Sequence, residues 1–339
     1  MSRPKVLIVG CGAVGLTHGY ILSPSADITF LVRPGRKSAF VAPKHLYDYK
    51  EDALRTFSTY RVVESASEVS GETFAFIFDT LDGNTARSES GVATIASVGN
   101  LLNEPQNVSS FLLFDAIGLD IDEHYARTAR IPVSRLILVM SLLAHQPTPQ
   151  ISVPTTASKD LVEKADMFYV DSMSGVGLIV PNSQPKLIDT LEAIYNVNGK
   201  FKIKRIPAIF SPIVVSLAML HLVVWNIDGF KPFPELRKNT ELWGLMMRAQ
   251  TEILRLPRYG WTGWILSLVM GSWATMQMNM PAVEGAKPMQ YHEFNAFHHG
   301  GKVAKQDRRI LEEILIEGEK AGKKMGGLGE VVRRAAQLQ

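Results

Sequence analysis

The chain has 339 residues, 36 of them basic and 33 acidic, for a net charge of +3. That balance, with no basic run interleaved with aromatics, excludes a nucleic-acid footprint, and the length suits two domains better than one. A single cysteine, Cys11, excludes internal disulfides and a cysteine-cluster metal site, and it fits a reducing compartment.

The first stretch to carry chemistry is Lys5-Val6-Leu7-Ile8-Val9-Gly10-Cys11-Gly12-Ala13-Val14-Gly15-Leu16. An apolar strand runs into G-x-G-x-x-G and then into a helical stretch, the order that a dinucleotide-binding turn requires. Gly10 permits the sharp turn, Gly12 leaves room for a pyrophosphate, and Gly15 lets helix and strand pack closely. Cys11, Ala13 and Val14 complete the loop, whose backbone N–H groups face the phosphates at the helix start. Only about six apolar residues precede Gly10, too few for the core of a secretory signal, so a cytoplasmic location is expected.

Asp27 to Val32 reads as the second strand, and its end carries Arg33 and Arg36 in place of the acid that binds an NAD ribose. A guanidinium binds a 2′-phosphate through paired charge-assisted hydrogen bonds, so the expected cofactor is NADP(H). The bland alternative is a pair of solvated loop charges. The stretch after the Arg33 loop is polar and poorly periodic. Further strands are expected at Tyr60 to Glu64, Thr73 to Phe78, Ser109 to Phe114, Leu136 to Leu143, Met167 to Val170 and Val176 to Val180. Helices are expected at Arg87 to Leu102 and Gln184 to Ile194. Alternation of this kind means a doubly wound parallel sheet. Asp79 and Thr80 fall at one strand end and Asp115 at the next, where such sheets place ligands.

From Ile206 the pattern turns helical. Ile206 to Trp225 and Trp261 to Met280 each lack charge over a length that could cross a bilayer. Their Pro, Gly, Ser, Thr, His and Asn content fits buried helices of a globular domain equally well, and no membrane partner is expected. Helices are also expected at Glu235 to Leu254 and Glu293 to Lys324, the latter ended by Gly326-Gly327-Leu328-Gly329 through a left-handed cap. The resulting expectation is a Rossmann domain over 1–206 that binds NADP, then an all-helical substrate and catalytic domain over 207–339, with a cleft between them.

The glycine turn, Arg33, the helical second half, Glu235-Leu236-Arg237 and His292-Glu293-Phe294-Asn295 together resemble the ketopantoate reductase family. The resemblance implies a second domain like the C-terminal domain of 6-phosphogluconate dehydrogenase, and reduction of a 2-keto acid by NADPH. It implies that Glu293 binds a substrate hydroxyl and that Thr275 helps hold the substrate. It also implies a general-acid lysine early in the helical domain, but no lysine occurs between Ile206 and Phe230. Where the family has a lysine and an Asn-Gly at two strand ends, this chain has Asp79 and Asp115-Ala116. Two carboxylates there would oppose a 2-keto carboxylate and suit a cationic or polyhydroxyl substrate, unless they are simple turn residues.

The proton donor for such a reaction is open. His221, in the uncharged segment, is either that donor or a hydrogen-bonded core histidine. Glu293 is either a donor whose burial raises its pKa or a helix N-terminal acid. No metal is expected, because position 296 is Ala and breaks the helical zinc spacing that His292, Glu293, His298 and His299 suggest. The expected function is an NADPH-dependent oxidoreductase acting on a ketone or imine small molecule other than ketopantoate. The alternative is an NADP(H)-binding protein without redox chemistry. The helical domain is apolar enough to form a homodimer, though nothing in the sequence specifies one.

Overall fold

The computed structural model describes residues 3–338, which form two compact units. One contains residues up to Ala116 together with Asp120–Thr148 and Val153–Pro207; the other contains Ile117–Leu119, Pro149–Ser152 and everything described from Ala208 onward.

The first unit is built on thirteen strands: β1 Lys5–Val9, β2 Asp27–Leu31, β3 Lys44–Asp48, β4 Ala53–Phe57, β5 Arg61–Val63, β6 Phe76–Asp79, β7 Phe111–Phe114, β8 Leu136–Leu138, β9 Met140–Ser141, β10 Leu143–His145, β11 Met167–Val170, β12 Val176–Pro181 and β13 Lys202–Ile206. Its helices are α1 Ala13–Leu22, α2 Gly83–Ala86, α3 Glu89–Leu102, α4 Ile121–Ala129, α5 Lys159–Glu163 and α6 Pro185–Tyr195. Six strands form one parallel sheet in the order β5-β2-β1-β6-β7-β8, the doubly wound Rossmann order. Their continuous apolar runs follow from burial on both faces. Val6, Ile8, Phe76, Phe78, Phe111 and Leu113 enter one core with Leu16 and Ile21 of α1. The alternate residues Leu7, Val9, Ile77, Leu112 and Phe114 enter a second core with α3 and α4, as the two-residue period of a strand dictates.

Three features depart from the sequence reading. The polar stretch after Arg33 holds an antiparallel hairpin, β3–β4, whose buried Asp48 is paired with Lys200. Leu136 to Leu143 is not one strand: β8 joins the large sheet, β9 pairs with β12, and β10 pairs with β11. The chain changes sheet at Val139, whose N–H donates to Phe114, and at Leu142, whose N–H donates to Gly177. α4 was not legible, because seven of the nine residues in Ile-Asp-Glu-His-Tyr-Ala-Arg-Thr-Ala are polar or alanine and only Ile121, Tyr125 and Ala129 are buried.

The second unit is helical: α7 Ser211–Ile227, α8 Phe233–Leu236, α9 Thr240–Leu254, α10 Gly260–Val269, α11 Ser272–Gly285, α12 Tyr291–Phe297, α13 Ala304–Lys320 and α14 Gly326–Ala335. Its core joins Leu217, Leu220 and Val224 of α7 to Met246 and Ile253 of α9, Ile310 and Ile314 of α13, and Leu328 of α14. The stretch Ala208–Ile227 is long and apolar enough to cross a bilayer, with just over half of it buried in this unit. The uncharged segment from Trp261 breaks at Met270–Gly271 into two shorter helices. The helix expected from Glu235 is interrupted, and Asn239 caps α9 by accepting from the Leu242 N–H. The helix expected from Glu293 is divided by a π-helical turn at His298–Lys302. Gly326-Gly327-Leu328-Gly329 opens α14 rather than ending a helix. Gly322, at φ +68°, takes the left-handed position instead, and Glu252 caps α14 by accepting from the N–H groups of Gly327 (2.9 Å) and Leu328 (2.8 Å).

Candidate functional site

The turn between β1 and α1 has the geometry its three glycines call for. Gly10 sits at φ +94°, a conformation that L side chains resist. A Cβ on Gly15 would lie 2.2 Å from the Gly10 carbonyl oxygen, whereas a Cβ on Gly12 would meet no atom within 4 Å. The first position is closed by the protein's own backbone, and the second opens onto free space. Gly12 caps α1 with no side-chain hydrogen bond, so the first N–H groups of the helix face outward, as anion binding needs. Ala13 is buried and Val14 half-buried at the start of the helix. The Cys11 thiol is buried, and burial pushes its pKa up to about 12.

Thr80 supports this loop from behind. Its hydroxyl donates to the Val9 carbonyl at 2.7 Å and lies where a Cβ on Gly10 would fall, at 2.8 Å. Arg33 and Arg36 follow β2 in an exposed turn closed by the Arg36 N–H on the Arg33 carbonyl. Among the described residues neither guanidinium has a side-chain partner, and both are therefore available to an anion.

At the next strand ends, Asp79 and Asp115 are neighbours: the Asp115 N–H donates to the Asp79 carbonyl at 3.1 Å. Asp79 is fully buried. Its carboxylate accepts from the Leu81 N–H (2.9 Å) and the Tyr125 hydroxyl (3.0 Å). Burial raises its pKa to about 7, against those two hydrogen bonds. Asp115 is half-buried, and its pKa is likewise raised to about 7 by burial, with the polar groups of Ser141 opposing and Asp79 adding to the rise. Burial thus favours the protonated form of both carboxyls, and Asp79 ends β6 with partners on both of its oxygens.

In the helical unit, the structure joins two residues that the sequence could not connect. His221 on α7 bonds through Nε2 to Gln250 Oε1 on α9 at 2.8 Å. Gln250 Nε2 donates to Thr275 Oγ1 on α11 (3.1 Å) and to the Met270 carbonyl (2.6 Å). Asn279 Nδ2 donates to His221 Nδ1 at 3.1 Å. A glutamine oxygen only accepts and an amide nitrogen only donates, so His221 carries its proton on Nε2. His221, Gln250 and Thr275 are buried and Asn279 is half-buried. Burial lowers the His221 pKa to about 4, so the ring is neutral near pH 7. Gln250 and Asn279 escaped the sequence reading; their only signal there was spacing, Asn279 falling one helical turn after Thr275.

Glu293, in the first turn of α12, is engaged separately. Its carboxylate accepts from both the N–H and the hydroxyl of Ser152, which pins the segment Pro149–Ser152 to this unit. Among the described residues, no group of three or more His, Cys, Asp or Glu is placed to hold a metal ion. His299 instead bonds Asp307 at 2.6 Å.

A parallel sheet in Rossmann order with a glycine-lined turn after β1, followed by an all-helical unit, defines a two-unit architecture. This is the fold of the ketopantoate reductases. The chain is similar to 2-dehydropantoate 2-reductase from Geobacter metallireducens, at 14% identity over 99% of this chain and 100% of that one, with a TM-score of 0.67. The corresponding enzyme from Methylococcus capsulatus matches at 15% identity over 98% and 96%, with a TM-score of 0.60. A D-mandelate dehydrogenase solved with NADH and anilino(oxo)acetate matches at 9% identity over 98% and 97%, with a TM-score of 0.63. No family model and no curated protein sequence matches the chain.

Proposed function

We propose that this protein is an NADPH-dependent oxidoreductase that reduces a ketone or imine other than ketopantoate. The observation that carries the reading is the β1–α1 turn, closed at Gly15 and open at Gly12, with the unpaired Arg33 and Arg36 beyond β2. Gly10, Gly12 and Gly15, with the backbone of Cys11, Ala13 and Val14, would hold the pyrophosphate, with Thr80 behind them and the two arginines on the 2′-phosphate. The bound nicotinamide supplies a hydride to the electrophilic carbon.

The chain's own residues then divide the remaining work. Glu293 orients the substrate or donates the proton to the developing alkoxide or amine. His221 acts through Gln250 on Thr275, as a positioning residue, because its Nε2–H is already donated to the glutamine. Asp115, the less buried of the two aspartates, is the member of that pair left to meet substrate. As a neutral acid it donates a hydrogen bond where a carboxylate would repel an anion. The single buried thiol suits a cytoplasmic setting.

A titration of the protein with NADPH and with NADH, read by tryptophan quenching, tests the cofactor reading. NADPH should bind in the micromolar range and NADH at least about tenfold more weakly, about 1.4 kcal/mol. Arg33→Ala should shrink that preference by most of its value while leaving NADH unchanged. Equal affinities would sink the arginine assignment, and no binding of either would sink the function. A second reading, NADP(H) binding without redox chemistry, is favoured by the absence of any lysine in α7 and by the two partners already on His221. Multiple turnovers of a ketone or imine, with stoichiometric NADPH consumption, would exclude it.

A further inference from the structure

The outer face of α10 is inverted with respect to that of an ordinary surface helix. Trp261, Trp264, Ile265, Leu268 and Val269 recur at the three- and four-residue spacing of a single helical face, and Trp273 follows at the start of α11. These six side chains are 48–77% exposed, while Gly263 is the one buried residue of α10. Trp261 and Trp264 pack edge to face with ring centroids 5.4 Å apart. Three tryptophans and three aliphatic side chains at such exposures present roughly 700–800 Å² of apolar surface. Monomeric proteins rarely leave more than about 300–600 Å² in one patch.

We infer that this face is the contact between two copies of the chain, joined by a two-fold axis. The area is one reason: a standard stable interface takes about 800 Å² from each partner, which the stripe alone nearly supplies. Charge is the second. A two-fold axis brings a patch against itself, so any charge near the axis faces its own like charge. Residues 259–283 contain no Asp, Glu, Lys or Arg. The absence of charge also argues against a lipid surface as the occupant, because helices that lie on bilayers carry a polar face rich in Lys and Arg. The two arginines that precede this segment in sequence are engaged within the chain: Arg258 pairs with Glu317 at 2.8 Å, and Arg255 bonds the Ser267 hydroxyl at 3.3 Å.

Sedimentation equilibrium of the full chain decides the matter. The wild type should sediment at twice the chain mass at micromolar concentration. Ile265→Glu and Leu268→Glu, each alone, should raise the dimer dissociation constant at least about tenfold. Val41→Glu, an exposed apolar site in the other unit, should leave the mass unchanged. Unaltered far-ultraviolet circular dichroism and melting temperature would show that each variant is folded. A wild type that is monomeric at these concentrations overturns the inference, and so does a dimer indifferent to both substitutions. A monomer that co-sediments with phosphatidylcholine vesicles would also overturn it, in favour of a lipid surface.

Discussion

Gly12 and Gly15 lie three residues apart, yet their substitutions should fail in different ways. Gly15→Ala drives a methyl group into the Gly10 carbonyl; both the melting temperature and NADPH affinity should fall. Gly12→Ala meets no atom of the protein, so its melting temperature should match the wild type while NADPH affinity drops at least about tenfold. Equal NADPH affinity in Gly12→Ala and wild type would show that no phosphate approaches there. Asp79 makes a prediction of another kind. Its pKa, near 3.9 in an unfolded chain, stands at about 7 in the fold, raised by burial beside Asp82. Between those values the folded state holds a proton that the unfolded chain has lost, so the contribution of Asp79 to stability declines as pH rises from about 4 through 7. The buried histidines His18, His145 and His221, with pKa lowered by burial, act in the opposite sense below pH 6.5. The informative quantity is therefore the difference between Asp79→Asn and wild type in urea midpoint. The variant should gain on the wild type between pH 5 and pH 8, and a difference independent of pH would refute the argument. The glycine turn was legible in the sequence because its function is backbone geometry written in residue type. The partners of Asp79 were not, since Tyr125 lies 46 positions away.

Among the elements, strands with continuous apolar runs were readable almost to the residue: Met167–Val170 matches the reading at both ends, and Phe111–Phe114 and Val176–Pro181 come close. Strands that carry charge were not. Lys202–Ile206 sets the buried Ile203 between two exposed lysines, and Lys44–Asp48 joins a lysine and a histidine to the buried run Leu46-Tyr47-Asp48; an ion pair such as Lys200–Asp48 hides the burial of an aspartate from any hydropathy argument. In the helical unit the sequence lengthened helices across breaks whose cause is local. Asn239 starts α9 afresh, and Met270–Gly271 separates α10 from α11. The tie among α7, α9 and α11 is Gln250, which serves His221, Thr275 and the Met270 carbonyl at once. Gln250→Leu keeps the volume but leaves the His221 Nε2–H without an acceptor. It should cost about 1–3 kcal/mol in urea unfolding, and His221→Leu combined with it should recover part of that loss. A double variant less stable than the sum of the two singles would contradict the network.

At the level of the whole chain, the order of a parallel sheet followed by helices could be read from the disappearance of β-type runs after Ile206, because backbone period and burial leave their mark on every residue of an element. The polar contacts of the candidate site could not be read so far, because they join distant segments, such as Ser152 with Glu293. If the sheet unit binds NADPH, ligand at a hundred times its dissociation constant should stabilise that unit by about 2.7 kcal/mol. Calorimetry should then show at least part of the unfolding endotherm move upward with NADPH, and move less with NADH at equal concentration. The buried thiol of Cys11 has a practical consequence for such experiments. With its pKa near 12 it is almost entirely protonated at neutral pH, and alkylating reagents and mild oxidants should pass it by in the folded protein. The natural chain is then silent to maleimide chemistry, and any one cysteine placed on its surface becomes a unique point of attachment for a fluorophore or spin label.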